Sequence, residues 1–553
     1  MAIITSRSLS NKSIPILDLR GKKVLIVDDF LNFRLNVRNM ISFFRPKDLD
    51  EAANGEDAVS KISQNGYDII LCDYNLGAGK DGQQVLEESK FNNYITNATI
   101  FMMVTAENTI EMLLGALEYE PDDYLMKPFT RDTLEKKIRG LITKKEVRKD
   151  VDQAIMDGEY ENALRLCNEL IDNNTKHLTE LLRLKGEIII KLGNYEQAAS
   201  FYREVINMGR FPWAVFGLGK ANYLSENYDE ALRVFSDLIK SNNKFMPAYD
   251  WLAKTLQKIN KNREAQQVLI NAISVSPKAI LRQKELGDLA YRNEDLVTAE
   301  KTFKTVVKQG KNSCFKTPAD YTKLAKVLTD RDAGEEGLLV LKDANKEFVN
   351  DPKAAVQVAL TESLVYKKMN RVEDAKKATD KVMSILNSES DKTSADFELD
   401  MARALFIQGH GNEAREIIRR VIQSNHEEDD VLENIQMFFK DLELEDEGHK
   451  MIDEAVEEVV VLNNEGVRLV KEGELVKAID YFRNAAKRLD QNKVINANAA
   501  NSMIVFMNKN GVRKEYLEEA KKYLDRVTEI DPEYRDLTAL LLLYKQLLKG
   551  TSR

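Results

Sequence analysis

The fold of the N-terminal part is decided by residues 22–30, which read KKVLIVDDF. Four apolar residues in a row, three of them β-branched, stand between two lysines and two aspartates. A continuous apolar run of this length is typical of a strand buried on both faces of a parallel sheet, because a strand with one solvated face alternates apolar and polar residues. The run therefore predicts a central strand with Asp28 and Asp29 at its carboxyl end.

Two further apolar runs of the same kind follow, at residues 69–72 and 100–104, and stretches with helical spacing separate them. Buried strands that alternate with helices form a parallel sheet with helices on both faces. We therefore predict an α/β fold for residues 21–144, a doubly wound parallel sheet of five strands. Residues 1–20 are rich in serine and lack a clear periodicity, so we assign them to an N-terminal extension.

Residues that can carry chemistry follow the predicted strands: Asp28 and Asp29, then Asp73, then Thr105, and finally Lys127. Ligands of open α/β sheets bind at the carboxyl ends of the strands, so we expect these side chains to meet in one crevice. Three carboxylates in one crevice repel each other and need a cation, and hard oxygen ligands suit Mg²⁺. With that charge neutralised, Asp73 can attack phosphorus and form an acyl phosphate, while the Thr105 hydroxyl is placed to bind a phosphoryl oxygen.

The acidic pair also has a simpler interpretation. Aspartates after a strand often only cap the following helix, and Asp28 and Asp29 alone are compatible with that role. The register of Asp73, Thr105 and Lys127 with them favours a reactive site instead, because a motif gains weight from its predicted structural context.

Four motifs in residues 20–144 resemble the receiver domains of two-component response regulators, in particular the chemotaxis-type members. The motifs are Val27-Asp28-Asp29-Phe30 with Arg34, Asp73-Tyr74-Asn75-Leu76, Thr105-Ala106, and Tyr124-Leu125-Met126-Lys127-Pro128-Phe129. The resemblance implies that Asp73 is the phosphoacceptor, and that Asp28 and Asp29 hold Mg²⁺ together with Asp73 and the backbone carbonyl of Asn75. It also implies that Thr105 and Tyr124 are a switch pair, and that Lys127 contacts the phosphoryl group through a cis peptide to Pro128.

The segment after Asp73 departs from the family pattern. The family usually has a proline four residues past the acceptor and Asp-Gly soon after, whereas here Gly77-Ala78-Gly79-Lys80 precede Asp81-Gly82. The loop therefore lacks the proline and is one residue longer, and its glycines make it more mobile. We expect this departure to affect the lifetime of the phosphoryl group and the partner contacts of the loop, but not the identity of the acceptor.

From about residue 145 the strand pattern is replaced by a repeat. Alanines recur at spacings of 35, 33, 34 and 34 residues, at Ala163, Ala198, Ala231, Ala265 and Ala299. Small residues lie twelve positions before the last four of them, at Gly186, Gly219, Ala253 and Gly287. Large apolar residues lie four positions after the same four, at Tyr202, Phe235, Leu269 and Phe303. Small residues let two helices approach and the large residue fills the next groove, so each period predicts one helical hairpin.

The period and the coincident ladders resemble the tetratricopeptide repeat family. Later units are looser but continue through Gly337, Ala375, Ala414, Ala478 and Ala520. The resemblance implies an all-α solenoid of about ten repeats over residues 145–533, with degenerate middle repeats, and we assign residues 534–553 to a capping helix.

Such solenoids recognise partners on the concave face, which the first helix of each hairpin lines. The predicted contact residues on that face are Arg183, Glu187, Lys220, Tyr223, Asp250 and Lys254. Each of them is also a residue type that is common on solvated surfaces. The last receiver helix is predicted to begin near Arg131 and to run with little break into the first repeat, because its helical spacing continues across the boundary and no proline follows until Pro212.

Composition narrows the classes of partner. The formal net charge is 81 − 90 = −9, and no tract dense in lysine or arginine occurs, which favours protein partners and disfavours nucleic acid. The first twenty residues carry no continuous apolar core, and no apolar run approaches the roughly 20 residues of a membrane helix. We expect a cytoplasmic protein without membrane insertion.

We therefore predict the response regulator of a bacterial phosphorelay. A histidine kinase or phosphotransfer protein is the expected donor, a protein partner binds the repeats, and a homodimer is a further expectation. The only expected chemistry is that of the receiver aspartate, so the chain is not predicted to be an enzyme. One alternative is a phosphate-independent adaptor whose receiver only dimerises or docks. Another is a hidden enzymatic output in the degenerate repeats, although residues 300–460 contain no glycine-rich phosphate loop, metal cluster or nucleophile–base pair.

Overall fold

The computed structural model describes residues 17–106, 120–173, 177–386, 395–407, 409–442 and 444–551. The chain divides into two compact units. The first unit extends to Asn293 and also includes Lys304–Lys316, and the second comprises Glu294–Phe303 together with the chain from Thr317 onward.

The first unit begins with the predicted five-stranded parallel sheet. Its strands are β1 (Lys23–Val27), β2 (Asp48–Ala52), β3 (Ile69–Asp73), β4 (Ile100–Thr105) and β5 (Asp123–Met126), in the order β2-β1-β3-β4-β5. The three continuous apolar runs form the inner strands, as expected for strands buried on both faces. The fold class predicted for this part of the chain is confirmed.

Helices cover both faces of the sheet, namely α1 (Leu31–Ser42), α2 (Gly55–Gln64), α3 (Gly82–Phe91) and α4 (Arg131–Met156). Side chains of a strand alternate between its two faces. Accordingly Val24 and Ile26 pack in one core with α1 and α4, whereas Leu25 and Val27 pack in the other with α2 and α3. The apolar run of β1 thus supplies both cores.

The sheet domain begins earlier than residue 21. Leu17 and Leu19, which we assigned to the extension over residues 1–20, are buried in the core beneath α1 and α4. The backbone N–H of Leu19 donates to the carbonyl of Phe44 at 2.8 Å, and that of Leu17 donates to Glu135 Oε1 at 3.0 Å. Alternate leucines in a short segment gave too little periodicity to reveal this packing.

Helix α4 joins the sheet to the repeats without a break, as predicted from its spacing. It is 26 residues long. Leu134 near its start is part of the sheet core, and Val151 near its end packs against Ala163 and Cys167 of the first hairpin. The boundary expected between residues 144 and 145 therefore lies inside a single helix.

Paired helices fill the rest of the first unit. They are α5 (Tyr160–Asn173), α6 (Leu178–Lys191), α7 (Tyr195–Met208), α8 (Pro212–Leu224), α9 (Tyr228–Ser241), α10 (Met246–Lys258), α11 (Asn262–Val275) and α12 (Ile280–Arg292). The repeat ladders meet as predicted, since a Cβ added at Gly186 would lie 2.5 Å from Tyr202 and one at Gly219 would lie 2.4 Å from Phe235. These glycines therefore mark closest approach between helices.

Helix α13 (Leu296–Gln309) contributes residues to both units, and a 3₁₀ turn at Gly310–Asn312 follows it. The second unit continues with α14 (Pro318–Asp330), α15 (Gly334–Glu347), α16 (Pro352–Lys368), α17 (Val372–Leu386), α18 (Ala395–Ile407), α19 (Gly411–Ser424), α20 (Asp429–Asp441), α21 (Glu445–Lys471), α22 (Leu475–Arg488), α23 (Lys493–Asn510), α24 (Lys514–Ile530) and α25 (Leu537–Thr551).

The same packing rule recurs in the second unit. A Cβ at Gly466 would lie 2.3 Å from Phe482, and Ala414, Ala478 and Ala520 are fully buried. Helices of unequal length, such as the 27-residue α21, account for the loss of a regular period in the middle of the chain. Within the described residues, no helix is both long and apolar enough to cross a membrane.

We predict opposite effects for the same substitution at two helical glycines. Gly219→Ala places a methyl group against the buried Phe235 ring and should destabilise the protein by about 1–3 kcal/mol. Gly140→Ala in α4 meets nothing within 4 Å and should stabilise it by about 0.5–1 kcal/mol. Urea unfolding followed by far-UV circular dichroism measures both, and a Gly219→Ala midpoint at or above the wild type would refute the close-packing argument.

Candidate functional site

The sheet brings the residues predicted for the site together at the carboxyl ends of its strands. The ammonium of Lys127, just after β5, donates to Asp28 Oδ2 at 2.6 Å and to Asp73 Oδ2 at 2.8 Å. Asp28, Asp29 and Asp73 each offer a carboxylate oxygen, and these three oxygens lie within 4.8 Å of one another. One lysine thus bridges two strand ends at an acidic cluster.

Local contacts hold Asp28 in place. Its Oδ1 accepts a hydrogen bond from the backbone N–H of Phe30 at 2.8 Å, and its carbonyl accepts one from Arg34 at 2.7 Å. Phe30 occupies the N-cap of α1, where no side-chain cap hydrogen bond forms. The capping interpretation of the acidic pair is therefore not what the structure shows.

Lys127 is positioned by its neighbours on both sides. The peptide bond to Pro128 is cis, as the family resemblance implies. The backbone N–H of Lys127 donates to the Thr105 carbonyl at 2.8 Å, and its ammonium lies 4.0 Å from the centroid of the Phe33 ring. The cation–π contact adds to the two carboxylates in favouring a charged lysine. Phe33 was not singled out from the sequence, because an aromatic residue on a helix gives no signal of its own.

The titration behaviour follows from this geometry. Burial raises the pKa of Asp73 to about 6, against the opposing influence of Lys127, and the neighbouring Asp28 carboxylate raises it as well. Burial disfavours the charged form of Lys127, yet its hydrogen bonds to Asp28 and Asp73 prevail and raise the pKa of the lysine. The single lysine thus offsets only part of the repulsion among the carboxylates of the site.

The donor set fits a hard divalent cation. All candidate ligands are oxygen atoms, and three carboxylates face one ammonium, so a further positive charge is favourable. Asp28 and Asp73 are buried, but Asp29 is exposed and leaves the cluster accessible. Asn75 lies two residues beyond Asp73 in the exposed loop after β3, where Gly77 comes close to the Asp29 carboxylate.

Thr105 and Tyr124 lie on neighbouring strands. Thr105 ends β4 and is buried, and the register pairs it with Met126, two residues beyond Tyr124 on β5. The Tyr124 hydroxyl is buried and finds no hydrogen-bond partner among the described residues. Burial raises the pKa of this phenol well above its usual value.

The predicted partner-binding residues fall on α6, α8 and α10. Arg183 binds Glu120 at 2.9 Å and Glu187 at 3.0 Å, and Asp250 binds the buried Arg282 at 2.6 Å. Arg282 was not anticipated, because its partner lies 32 residues away.

Lys220, Tyr223 and Lys254 surround Trp251. The two ammonium groups lie 5.1 and 5.5 Å from the centroid of the Trp251 ring, and the Tyr223 ring meets it edge-on at 5.2 Å. Trp251 was missed in the sequence, although the density of aromatic residues around it was a usable signal. A cationic and aromatic cluster therefore exists on α8 and α10.

Comparison with known proteins finds family matches in two parts of the chain. Residues 24–139 match the family of the response regulator receiver domain, and residues 512–534 match the tetratricopeptide repeat. Chemotaxis protein CheY-3 of Vibrio cholerae is 29% identical over 119 residues, which are 22% of this chain and 90% of that protein. Chemotaxis protein CheY of Pseudomonas aeruginosa is 28% identical over 119 residues, 22% of this chain and 94% of that protein.

Two solved structures cover different parts. A CheY-like receiver domain protein from Methanospirillum hungatei, 25% identical, covers 23% of this chain and 96% of its own, with a TM-score of 0.21. The C-terminal part of a TPR repeat-containing protein from Cytophaga hutchinsonii, 12% identical, covers 44% of this chain and 96% of its own, with a TM-score of 0.36. The two chemotaxis proteins each match 22% of this chain.

We predict that Lys127→Met destabilises the metal-free protein more at pH 7.5 than at pH 5. At pH 7.5 the variant leaves two buried carboxylates without their cation, which should cost about 3 kcal/mol. The folded pKa of Asp73 lies above its unfolded value, so stability from its protonation is present at low pH and is lost as the pH rises through about 6. Without Lys127 that pKa rises further, and at pH 5 a protonated Asp73 needs the lysine less.

Thermal unfolding in the presence of a chelator measures this difference. Lys136→Met, at an exposed position of α4, is the matched control and should leave the midpoint close to the wild type at both pH values. Equal losses for Lys127→Met at pH 5 and pH 7.5 would mean that the coupling to Asp73 is negligible.

Proposed function

We propose that this chain, in which a response-regulator receiver domain is followed by tetratricopeptide-type repeats, accepts a phosphoryl group on Asp73 and thereby controls what its repeats bind. The observation that carries the proposal is the Lys127 ammonium, which bridges Asp28 and Asp73 beside Asp29. The receiver makes the chain a regulator in a phosphorelay, and the repeats are suited to protein–protein interaction.

The transfer step needs a carboxylate nucleophile and neutralised charge. An oxygen of Asp73 attacks phosphorus, a P–O bond to the aspartate forms, and the bond from phosphorus to the donor's leaving group breaks. With a pKa of about 6, Asp73 is mostly ionised at neutral pH, so the nucleophile is available. Lys127, whose ammonium lies 2.8 Å from Asp73 Oδ2, would hold an oxygen of the transferred group by charge.

Mg²⁺ would supply the positive charge that the transfer step still requires. Held by Asp28, Asp29, Asp73 and the backbone carbonyl of Asn75, Mg²⁺ would neutralise the carboxylates and the incoming phosphoryl oxygens. The oxygen-only donor set and the exposure of Asp29 support this assignment.

We infer that Thr105 and Tyr124 are the switch pair that transmits the effect of phosphorylation from Asp73 to other parts of the receiver. The Thr105 hydroxyl would hydrogen-bond a phosphoryl oxygen and shift toward it. The buried Tyr124 hydroxyl has no hydrogen-bond partner among the described residues, which is costly, so this side chain has a reason to change its position when space opens next to Thr105.

Two classes of protein partner follow. A histidine kinase or phosphotransfer protein would supply the phosphoryl group to Asp73. The output partner would bind the repeats at the cluster of Lys220, Tyr223 and Lys254 around Trp251, where two cations suit an acidic segment. Arg183, Glu187 and Asp250 would join that surface only after leaving their present ion pairs. No catalytic role is assigned to the repeats.

We predict that the wild type gains one phosphoryl group, about 80 Da, when it is incubated with acetyl phosphate and Mg²⁺. Asp73→Asn should gain nothing, because the amide is not a nucleophile of this kind. Asp132→Asn makes the same substitution at an exposed position of α4 and should behave as the wild type. Intact-protein mass spectrometry measures all three, and a gain in Asp73→Asn equal to that of the wild type would place the acceptor elsewhere.

A further inference from the structure

The loop after Asp73 touches the helical part of the first unit. The side-chain amide of Asn312 donates to the Gly79 carbonyl at 2.9 Å, and the Lys80 ammonium donates to the Asn312 carbonyl at 3.1 Å. We call Gly77–Asp81 the docking loop and Gly310–Phe315 the docking segment. The two stretches exchange hydrogen bonds in both directions.

Lys278, just before α12, adds a second contact to the same region. Its ammonium lies 3.3 Å from the Tyr74 hydroxyl, 5.2 Å from the centroid of that ring and 4.0 Å from Asp81 Oδ2. Lys278 thus reaches the residue that directly follows the phosphoacceptor and the residue that ends the docking loop.

Helix α3 extends the contact with an apolar component. The rings of Phe91 and Phe315 meet edge-on at 5.1 Å, and the Ser313 hydroxyl donates to Glu87 Oε2 at 3.4 Å. Phe315 is held from the other side, because its carbonyl accepts a hydrogen bond from Lys284 of α12. The docking segment therefore lies between the receiver and the repeats of the first unit.

The two glycines that depart from the receiver pattern permit this arrangement. Gly77 and Gly79 have φ values of +75° and +100°, which other residues rarely adopt. A Cβ at Gly79 would lie 2.6 Å from Glu56 Oε1, the same oxygen that accepts the backbone N–H of Lys80 at 3.0 Å. The departure thus shapes a loop that is held by α2 on one side and by Asn312 on the other.

The backbone at the end of the docking loop packs closely against the backbone of Asp73 and Tyr74. The backbone N–H of Gly82 donates to the Tyr74 carbonyl at 2.8 Å, and a Cβ at Gly82 would lie 2.0 Å from the Asp73 carbonyl oxygen. The loop therefore leaves the acceptor at Tyr74 and returns onto its backbone at Gly82. When one end of so short a loop shifts, the residues between its two ends must move as well.

We propose that the docking loop, Lys278 and the docking segment form an intramolecular latch, which holds the receiver on the repeats of the first unit until phosphorylation of Asp73 releases it. The latch rests on the proposed function for its trigger. A phosphoryl group on Asp73 would draw the Lys127 ammonium from the two carboxylates onto its own oxygens, and it would shift Asn75, which leads into the docking loop. Because Gly82 anchors the other end, this movement withdraws Gly79 and Lys80 from Asn312.

The reactivity of one cysteine can report whether the latch is closed. Cys314 lies in the docking segment, and burial together with the Glu87 and Glu88 carboxylates of α3 raises the pKa of its thiol to about 12. The thiolate is the reactive form, so the latched protein should be alkylated slowly at this position. Cys72 and Cys167 are fully buried and serve as internal references.

The test is the alkylation rate of Cys314 by iodoacetamide in the full chain, located by peptide mass spectrometry. After treatment with acetyl phosphate and Mg²⁺ we expect at least a fivefold faster reaction, within the range of about 5- to 150-fold typical of coupled sites. The double variant Lys278→Ala/Asn312→Ala should react at this faster rate without any phosphoryl group. Lys240→Ala/Asn271→Ala, at exposed positions of α9 and α11, is the control and should react as the wild type.

The two proposals fail in different ways. An intact mass that rises by one phosphoryl group while the Cys314 rate stays constant or falls would overturn the latch and leave Asp73 as the acceptor. A double variant that reacts at the wild-type rate would overturn it as well, since the named contacts would then not shield Cys314. A protein that gains no mass would refute the trigger, and with it the release.

Discussion

The ion pair of Lys127 with Asp28 and Asp73 is the contact on which the other features of the receiver depend. Carboxylates buried at neighbouring strand ends would repel each other, and the ammonium that bridges them arrives from a third strand. The order β2-β1-β3-β4-β5 makes this possible, because it sets the ends of β1 and β3 side by side. One lysine leaves part of the negative charge of this site uncompensated, which favours the binding of a further positive charge.

The packing of the remaining helices depends on a second constraint. Small residues let neighbouring helices approach each other closely. The contacts of Gly186 with Tyr202 and of Gly219 with Phe235 repeat one geometry along the first unit. Helix α4 is part of both the sheet domain and the repeats, since its start lies in the sheet core and its end packs in the first hairpin. The proposed latch gives the same two parts a second connection, at the loop that starts beside Asp73.

The site was predictable from the sequence because Asp28, Asp73 and Thr105 stand at the carboxyl ends of the three buried, apolar strands, β1, β3 and β4. The edge strand β2, which reads DLDEA, was not, since a strand with polar, exposed positions carries no apolar run. Contacts between distant residues left no local pattern either. Lys278 meets Tyr74 across 204 positions and Asn312 meets Gly79 across 233, and only the folded chain brings them together.

Hydrogen–deuterium exchange of the full chain, with and without beryllofluoride and Mg²⁺ as a stable phosphoryl mimic, tests most directly whether the state of Asp73 reaches the repeats. If the state of Asp73 controls the latch, we expect faster exchange in peptides that cover the docking loop and the docking segment, in addition to changes at the strand ends around Asp73. A response confined to those strand ends, with the docking segment unchanged, would contradict this expectation.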